Sequence, residues 1–337
     1  MVSLDFSFII PVYNRAEEVE ELLRSFVNLQ GDAAFEIVIV EDGSTMDCKT
    51  VISNFETSLN ISYYQKPNSG PGDSRNFGMR KAKGNYFIIL DSDCILPSDY
   101  LIKVTQSLNH RFVDCYGGPD AAHHSFTNLQ KAINFTMTSL VTTGGIRGGN
   151  AALKNFQPRS FNMGLSKAAF LASGGFGSIH PGEDPDLSIR LNTLGYETAL
   201  FPKAFVYHKR RLSWSKFYKQ VYKFGLVRPI LNTWHPKTAK WSYWLPSAFS
   251  LGFLAAVILM LFGYWLPIMV YVVYVMTAFI LALINSKSLS VAFQSILAIF
   301  IQFFGYGLGF LKSSFAIKVM KQAPQSRFPN LFFDNVH

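Results

Sequence analysis

The chain has 337 residues, enough for one large domain plus additional segments. Its hydrophobic share of 49% and mean hydropathy of +0.17 are high for a wholly soluble enzyme, and the excess is concentrated at the C-terminal end. A formal net charge of +9 suits an anionic partner such as a nucleotide, a lipid phosphate or an acidic membrane surface. The Lys and Arg residues are dispersed and no nucleic-acid-binding signature appears, which argues against nucleic acid. Cys48, Cys94 and Cys115 are odd in number and lack metal-ligand spacing, so they are expected as reduced thiols in a cytosolic compartment. No signal-peptide pattern precedes the first strand.

In chain order, residues 6–13 predict a short strand interrupted by Pro11, and Glu17 to Leu29 carries Val19, Leu22, Leu23, Phe26 and Leu29 at helical spacing. A second strand covers 35–40 and ends in Glu41-Asp42-Gly43-Ser44. A weak helix over 47–55, a strand over 61–65, a turn-rich loop from Asn68 and a helix over 74–82 follow, then the apolar strand Phe87-Ile-Ile-Leu90. Alternating strands and helices predict an α/β fold with a mostly parallel sheet covered on both faces. Three strands end in polar groups on one edge, where ligands of such sheets bind.

The fourth strand stops at Asp91-Ser92-Asp93. Two carboxylates around one small residue can face a hard cation that also holds phosphate oxygens. The same tripeptide can equally be a turn that caps the next helix. Further on, Tyr116 to Lys154 is irregular, with a helix expected near 129–140. His123-His124 lacks partner ligands and reads as ordinary loop, and Gly144 to Asn150 is a candidate loop over the site. Pro181-Gly-Glu183-Asp184-Pro-Asp186 precedes a helix with Leu187, Leu191 and Leu194 on one face, and acidic residues there can simply cap it. Residues 201–208 predict a last strand that delivers His208, followed by Lys209, Arg210 and Arg211. That basic triplet suits either a leaving phosphate or anionic headgroups.

The runs FSFIIPVYNR, EIVIVEDGS, NSGPGDSRNFGMRKAKGNYFIILDSDC, FNMGLSKAAFLASGGF and GEDPDLSIRLNTLGY, in this order, resemble glycosyltransferase family 2, whose fold is the nucleotide-sugar-binding, Rossmann-like GT-A fold. The resemblance covers residues 4 to 225. It implies an inverting enzyme that uses a nucleotide sugar, expected to be a UDP-sugar, with Mn²⁺ or Mg²⁺ to neutralise the diphosphate. It implies Pro11, Val12 and Tyr13 as the wall of the base pocket, Asp42 as acceptor of a base N–H, and Arg75 at the nucleotide or phosphates. Asp93 is implied as direct metal ligand, Asp91 at the ribose or metal shell, and His208 in the metal or diphosphate shell. Asp184 is the implied general base, Glu183 positions it or the acceptor, and Asn162, Met163 and Gly164 line the acceptor side. Asp186 reads as structural capping. Two positions depart from the family pattern: Arg15 stands where an acidic residue is common, and Asp73 where a small one is usual. Gln220-Val-Tyr-Lys223-Phe224 only partly matches the Gln-x-x-Arg-Trp motif of processive polysaccharide synthases.

No charged residue lies between Lys240 and Lys287. Residues 245–262 and 266–284 approach the length that crosses a hydrocarbon core, with a Gly263-Tyr-Trp-Leu-Pro267 turn between them. A third apolar segment, 291–311, carries Gly305, Gly307 and Gly309, small residues that permit close helix packing. If it crossed fully, Lys312, Lys318, Lys321 and Arg327 would lie opposite a cytosolic catalytic domain, against the positive-inside tendency, so its crossing stays open.

The expected organisation is a catalytic domain over 1–225 (nucleotide half 1–115, acceptor half 116–225), a linker over 226–243, a membrane region over 244–312 and a basic tail over 313–337. The expected function is transfer of one sugar to a lipid-linked or glycolipid acceptor, in glycolipid or cell-surface polysaccharide synthesis. The enzyme would sit in the inner membrane as a multi-pass protein with its catalytic domain in the cytosol. A processive polysaccharide synthase and a non-catalytic membrane scaffold are the alternatives.

Overall fold

The computed structural model describes residues 4–121, 126–143, 156–208 and 213–333. They form two compact units: one of residues 1–123, 149–209 and 332–337, the other of residues 124–148 and 210–331.

The first unit is built on a seven-stranded sheet in the order β3-β2-β1-β4-β8-β6-β9. These strands are β1 (Phe6–Val12), β2 (Phe35–Asp42), β3 (Ile61–Lys66), β4 (Tyr86–Leu90), β6 (Cys115–Gly117), β8 (Asn162–Ser166) and β9 (Thr198–Leu200). All neighbours are parallel except β8, which runs antiparallel to both β4 and β6. A small second sheet pairs β5 (Cys94–Ile95) and β7 (Asp120–Ala121) with β10 (Val206–His208).

Strand alternation divides the apolar residues between two cores. Phe8, Ile10, Ile37, Ile39, Ile88 and Leu90 face one layer with α1 (Ala16–Val27) and α4 (Tyr100–His110). Ile9, Val38, Val40, Phe87 and Ile89 face the other with α3 (Pro71–Lys81), α7 (Lys167–Ser173) and α8 (Glu183–Thr193). The helical spacing predicted for 17–29 is the buried face of α1, with Val19, Leu22, Leu23 and Phe26. The short α2 (Lys49–Ser53) completes this half.

The second unit contains α5 (Asn128–Thr138), α6 (Leu140–Thr143), α9 (Trp214–Trp234), α10 (Leu245–Leu261), α11 (Leu266–Ser286) and α12 (Leu289–Ser314). The α10, α11 and α12 regions are each long and apolar enough to cross a membrane. The expected linker at 226–243 is corrected, because α9 runs unbroken through residue 225 and the units divide after Lys209. Residues 124–148 likewise leave the acceptor half for the second unit, and 332–337 return to the first.

The small residues expected to allow close packing do so within this unit. A Cβ on Gly305 would lie 2.7 Å from Val221 Cγ2, and one on Gly225 would run into the Tyr306 carbonyl. Gly225→Val should therefore force α9 and α12 apart, costing about 1–3 kcal/mol or more from overpacking. A clear drop in the melting temperature of the detergent-solubilised chain checks this.

Candidate functional site

The carboxyl ends of β1, β2 and β4 bring their polar residues to one edge of the sheet, and β8 begins there because Asn162 pairs with Leu90. The chain leaves β4 through a turn closed by the Cys94 amide, which donates to the Asp91 carbonyl at 3.2 Å. The turn and the acidic site are thus the same structure. Asp91 points at α3, where Arg75 Nη2 donates to its Oδ1 at 2.8 Å. The buried Arg75 guanidinium also donates through Nη1 to Glu183 Oε1 at 3.0 Å, and it lies 5.3 Å from the Phe176 ring centre. A single cation so joins the acid after β4 to the acid that opens α8.

Asp93 points the other way. Pairing of β10 with β5 sets His208 opposite Cys94, which brings His208 Nε2 to 3.1 Å from Asp93 Oδ1. The imidazole stacks on Phe161 at 4.9 Å and 14°, and its Nδ1 lies 3.9 Å from Asp120 Oδ2. A carboxylate oxygen and an imidazole nitrogen at that separation fit adjacent positions on one octahedral cation with bonds of about 2.1 Å. Cys94 Sγ is also within 4.8 Å of both groups. Burial holds this thiol well above its usual range, and it donates to the Phe161 carbonyl, so it stays protonated and is a poor ligand.

Glu183 and Asp184 occupy the first turn of α8, which begins four residues before Leu187 and has Gly182 at φ 125° as its N-cap. Burial would raise the Glu183 carboxyl, but His180, whose Nδ1 is 2.9 Å away, and Arg75 hold it well below the carboxylate range. Asp184 moves in the opposite direction. Burial first, then the neighbouring Glu183 charge, push it up to about 6, opposed by Arg75 and Arg159 and by a Ser160 hydrogen bond. Its Oδ1 is buried without a hydrogen-bond partner among the described residues. Asp186 is paired with Arg190 at 2.9 Å, and Arg190 also donates to the Ser173 and Gly175 carbonyls, so its role is structural.

Asp42 is buried at the end of β2. Its Oδ1 accepts from Lys66 Nζ at 2.7 Å and the Ser69 amide at 2.9 Å, and its Oδ2 from the Gly70 amide at 3.0 Å. A carboxylate has about four acceptor sites, so one further donor can be received. Lys66 also lies 3.2 Å from Asp73, which bonds Ser69 Oγ at 2.5 Å. Lys66 thus balances the acid that departs from the family pattern. The other departure, Arg15, pairs with Glu18 at 2.8 Å and reaches Asp93 Oδ2 at 3.5 Å.

Several expectations need correction. Val12 is 2% exposed and faces the core, which leaves Pro11 and the 53% exposed Tyr13 for the pocket wall. Asn162, Met163 and Gly164 lie inside the sheet and do not line an acceptor surface. Met163 is a core residue, the Tyr116 ring covers Gly164, and Asn162 bonds Tyr100 and Ala204. His123-His124, Gly144 to Asn150 and Lys209 to Arg211 lie outside the described residues. Lys66 and His180 lie outside the runs that carry the resemblance, and Glu41 lies in one of them with no role expected of it. Glu41 anchors the turn after β2 through the Cys48 amide and the Tyr63 hydroxyl.

Comparison with known proteins agrees with this architecture. The chain resembles a mannosyltransferase from Pyrobaculum calidifontis, solved with GDP-Man and Mn²⁺, at a TM-score of 0.51 and 16% identity over 66% of this chain and 64% of that one. It also resembles residues 1–349 of Staphylococcus aureus TarS, solved with UDP-GlcNAc, at 0.50 and 17% over 95% and 93%. These likenesses define a GT-A fold. Residues 7–171 match the family model "Glycosyl transferase family 2". In sequence it is 36% identical over 150 residues to a chondroitin synthase of Escherichia coli, covering 42% of this chain. It is 31% identical over 131 residues to the poly(ribitol-phosphate) beta-N-acetylglucosaminyltransferase TarS of S. aureus, covering 38%. The matches span 22% and 21% of the lengths of those relatives.

Lys66→Met leaves Asp42 and Asp73 buried without their shared cation and should destabilise the chain by about 3–5 kcal/mol. Adding Asp73→Ala should restore part of that loss in a thermal melt. A double variant no more stable than the single one would show that Lys66 does not balance Asp73.

Proposed function

We propose that the chain is a membrane-anchored, inverting glycosyltransferase that moves one sugar from a nucleotide sugar to an acceptor held at the membrane. The observation that carries this reading is the Arg75 guanidinium bonded at once to Asp91 and Glu183, which ties a donor-side acid to the acids of α8. Asp93 and His208 would hold Mn²⁺ or Mg²⁺, and the ion would supply positive charge to the departing diphosphate. The second Asp91 oxygen is available to the ribose or the metal shell. Pro11 and Tyr13 wall the base, and Asp42 receives a base N–H at its remaining acceptor site. A UDP-sugar donor is favoured by the sequence likeness to an N-acetylglucosaminyltransferase together with the UDP-GlcNAc bound to its solved relative.

Asp184 is the general base. Its carboxyl, raised to about 6, is ionised at neutral pH yet basic enough to take a proton from an attacking hydroxyl. Glu183, kept ionised by His180 and Arg75, does not compete for that proton; it positions the loop and raises the affinity of Asp184 for it. An anchored enzyme works best on an acceptor that is itself in the membrane, such as a lipid-linked sugar, at the cytosolic face of the inner membrane.

Purified full-length chain in detergent should release nucleoside diphosphate from one member of a nucleotide-sugar panel, with Mn²⁺ or Mg²⁺ required. No binding and no turnover with any donor would overturn the reading. Asp184→Asn should lower transfer by about 10²–10⁴-fold while donor affinity, read by calorimetry, stays near wild type. Protonation removes the base, so wild-type kcat should fall as pH drops through about 6 and level off above it. The residual rate of Asp184→Asn should lack that limb.

A further inference from the structure

We infer that only the α10–α11 hairpin enters the bilayer, while α12 rests in the membrane surface on the same face as the α/β unit. The inference rests on the membrane-anchored reading above and concerns the path of the chain through the lipid.

By length and composition the three helical regions are equivalent candidates, but their surroundings differ. Inside the structure only 17% of the most apolar window of Trp241–Leu261 and 11% of that of Leu266–Ser286 is buried, against 44% for Leu289–Val319. The hairpin therefore offers bare apolar sides, including Leu254, Ile258, Met269, Val270 and Val273, for which lipid is the matching solvent.

α12 touches the hairpin, where Ser247 Oγ donates to the Gly307 carbonyl and Ala278 packs on Ile299 and Phe303, but its other partners, α5 and α9, are polar helices. Asn128 Nδ2 of α5 reaches Ser290 Oγ at 3.2 Å, and Ile133 and Met137 pack on Ala298. Further along, α9 takes over: Val221 and Tyr218 lie on Gly305, and the Leu226 amide nitrogen would be 3.0 Å from a Cβ on Gly309. α5 carries Lys131 and α9 carries Lys216, Lys219 and Lys223. Helices with those charges cannot share the hydrocarbon interior with α12 at ordinary cost. α5 belongs to the stretch 124–148, which lies in the sequence between two segments of the α/β unit. Among its exposed residues α12 keeps an apolar stripe, Leu289, Phe293, Leu297 and Leu308, along one helical face. That pattern suits a helix lying in the interface with one side in lipid.

The end of the chain gives an independent argument. After α12 it rejoins the α/β unit, where Phe332 bridges Ile179 and the Phe333 amide donates to the Ser178 carbonyl at 3.0 Å. The Phe333 ring lies beside His180, with centroids 6.1 Å apart, and covers Gly70, which at φ 90° has no side chain in the way. One folded unit cannot occupy both sides of a membrane, so the number of crossings between His208 and Phe332 is even. Three crossings are excluded, and the helix packed on the charged α5 and α9 is the one that stays out. Lys312, Lys318, Lys321 and Arg327 then remain on the catalytic face, as the positive-inside tendency asks when that face is cytosolic.

Thiol labelling of the full chain in sealed membrane vesicles tests this. The native Cys48, Cys94 and Cys115 are all buried, so an introduced exposed cysteine reports alone. Ser58→Cys marks the α/β unit, and Gln325→Cys and Ser326→Cys mark the segment after α12. A membrane-impermeant maleimide should label all three variants together, or none until detergent is added. Labelling of the 325 and 326 variants with protection of the 58 variant, or the reverse, would overturn the inference and leave the anchored reading intact. Recovery of the chain in the soluble fraction without detergent would overturn both.

Discussion

Much of the α/β unit depends on how it keeps a buried guanidinium neutralised. Arg75 sits under the sheet edge with two carboxylates on its two terminal nitrogens. Removing either acid would leave charge in a low-dielectric interior, which costs several kcal/mol. The pair therefore holds the loop after β4 and the start of α8 in one arrangement. It also separates two adjacent acids in behaviour. Glu183 spends its charge on Arg75 and His180, and Asp184, next to that fixed charge, becomes the more basic of the two.

The positions that depart from the family pattern are explained by their neighbours. Asp73 introduces a buried acid into α3, and Lys66 answers it from the end of β3 while also holding Asp42. Arg15 places a cation against Asp93. Neither compensation is visible along the chain, because the partners are 7 and 78 residues away and share no motif. The second unit solves a different problem. α12 carries glycines where α9 comes close and leaves an outer apolar stripe exposed.

Legibility followed the range of the interaction. The apolar runs of β1, β2 and β4, the helical face of α1 and the three long apolar helices were all readable, since each is written in one contiguous stretch of sequence. So was the set of acids, through turns and strand ends that hold Asp42, Asp91, Asp93, Glu183 and Asp184 at the edge of one sheet or at a helix start. The expected linker boundary falls inside α9, whose sequence has only a weak periodic pattern to mark it as one helix. The acceptor residues failed because β8 is inserted antiparallel between β4 and β6, which buries Asn162, Met163 and Gly164.

The sequence by itself determined the class of fold, the edge where chemistry is concentrated and the presence of helices fit for a membrane. Tertiary structure alone decided that Asp93 meets His208 while Asp91 meets Arg75, because the first distance is set by pairing of β10 with β5 across more than a hundred residues and the second by packing of α3 beside the end of β4. It also decided the path of the chain's end, since the pairing of Phe332 with Ile179 is a long-range backbone bridge that no local periodicity encodes.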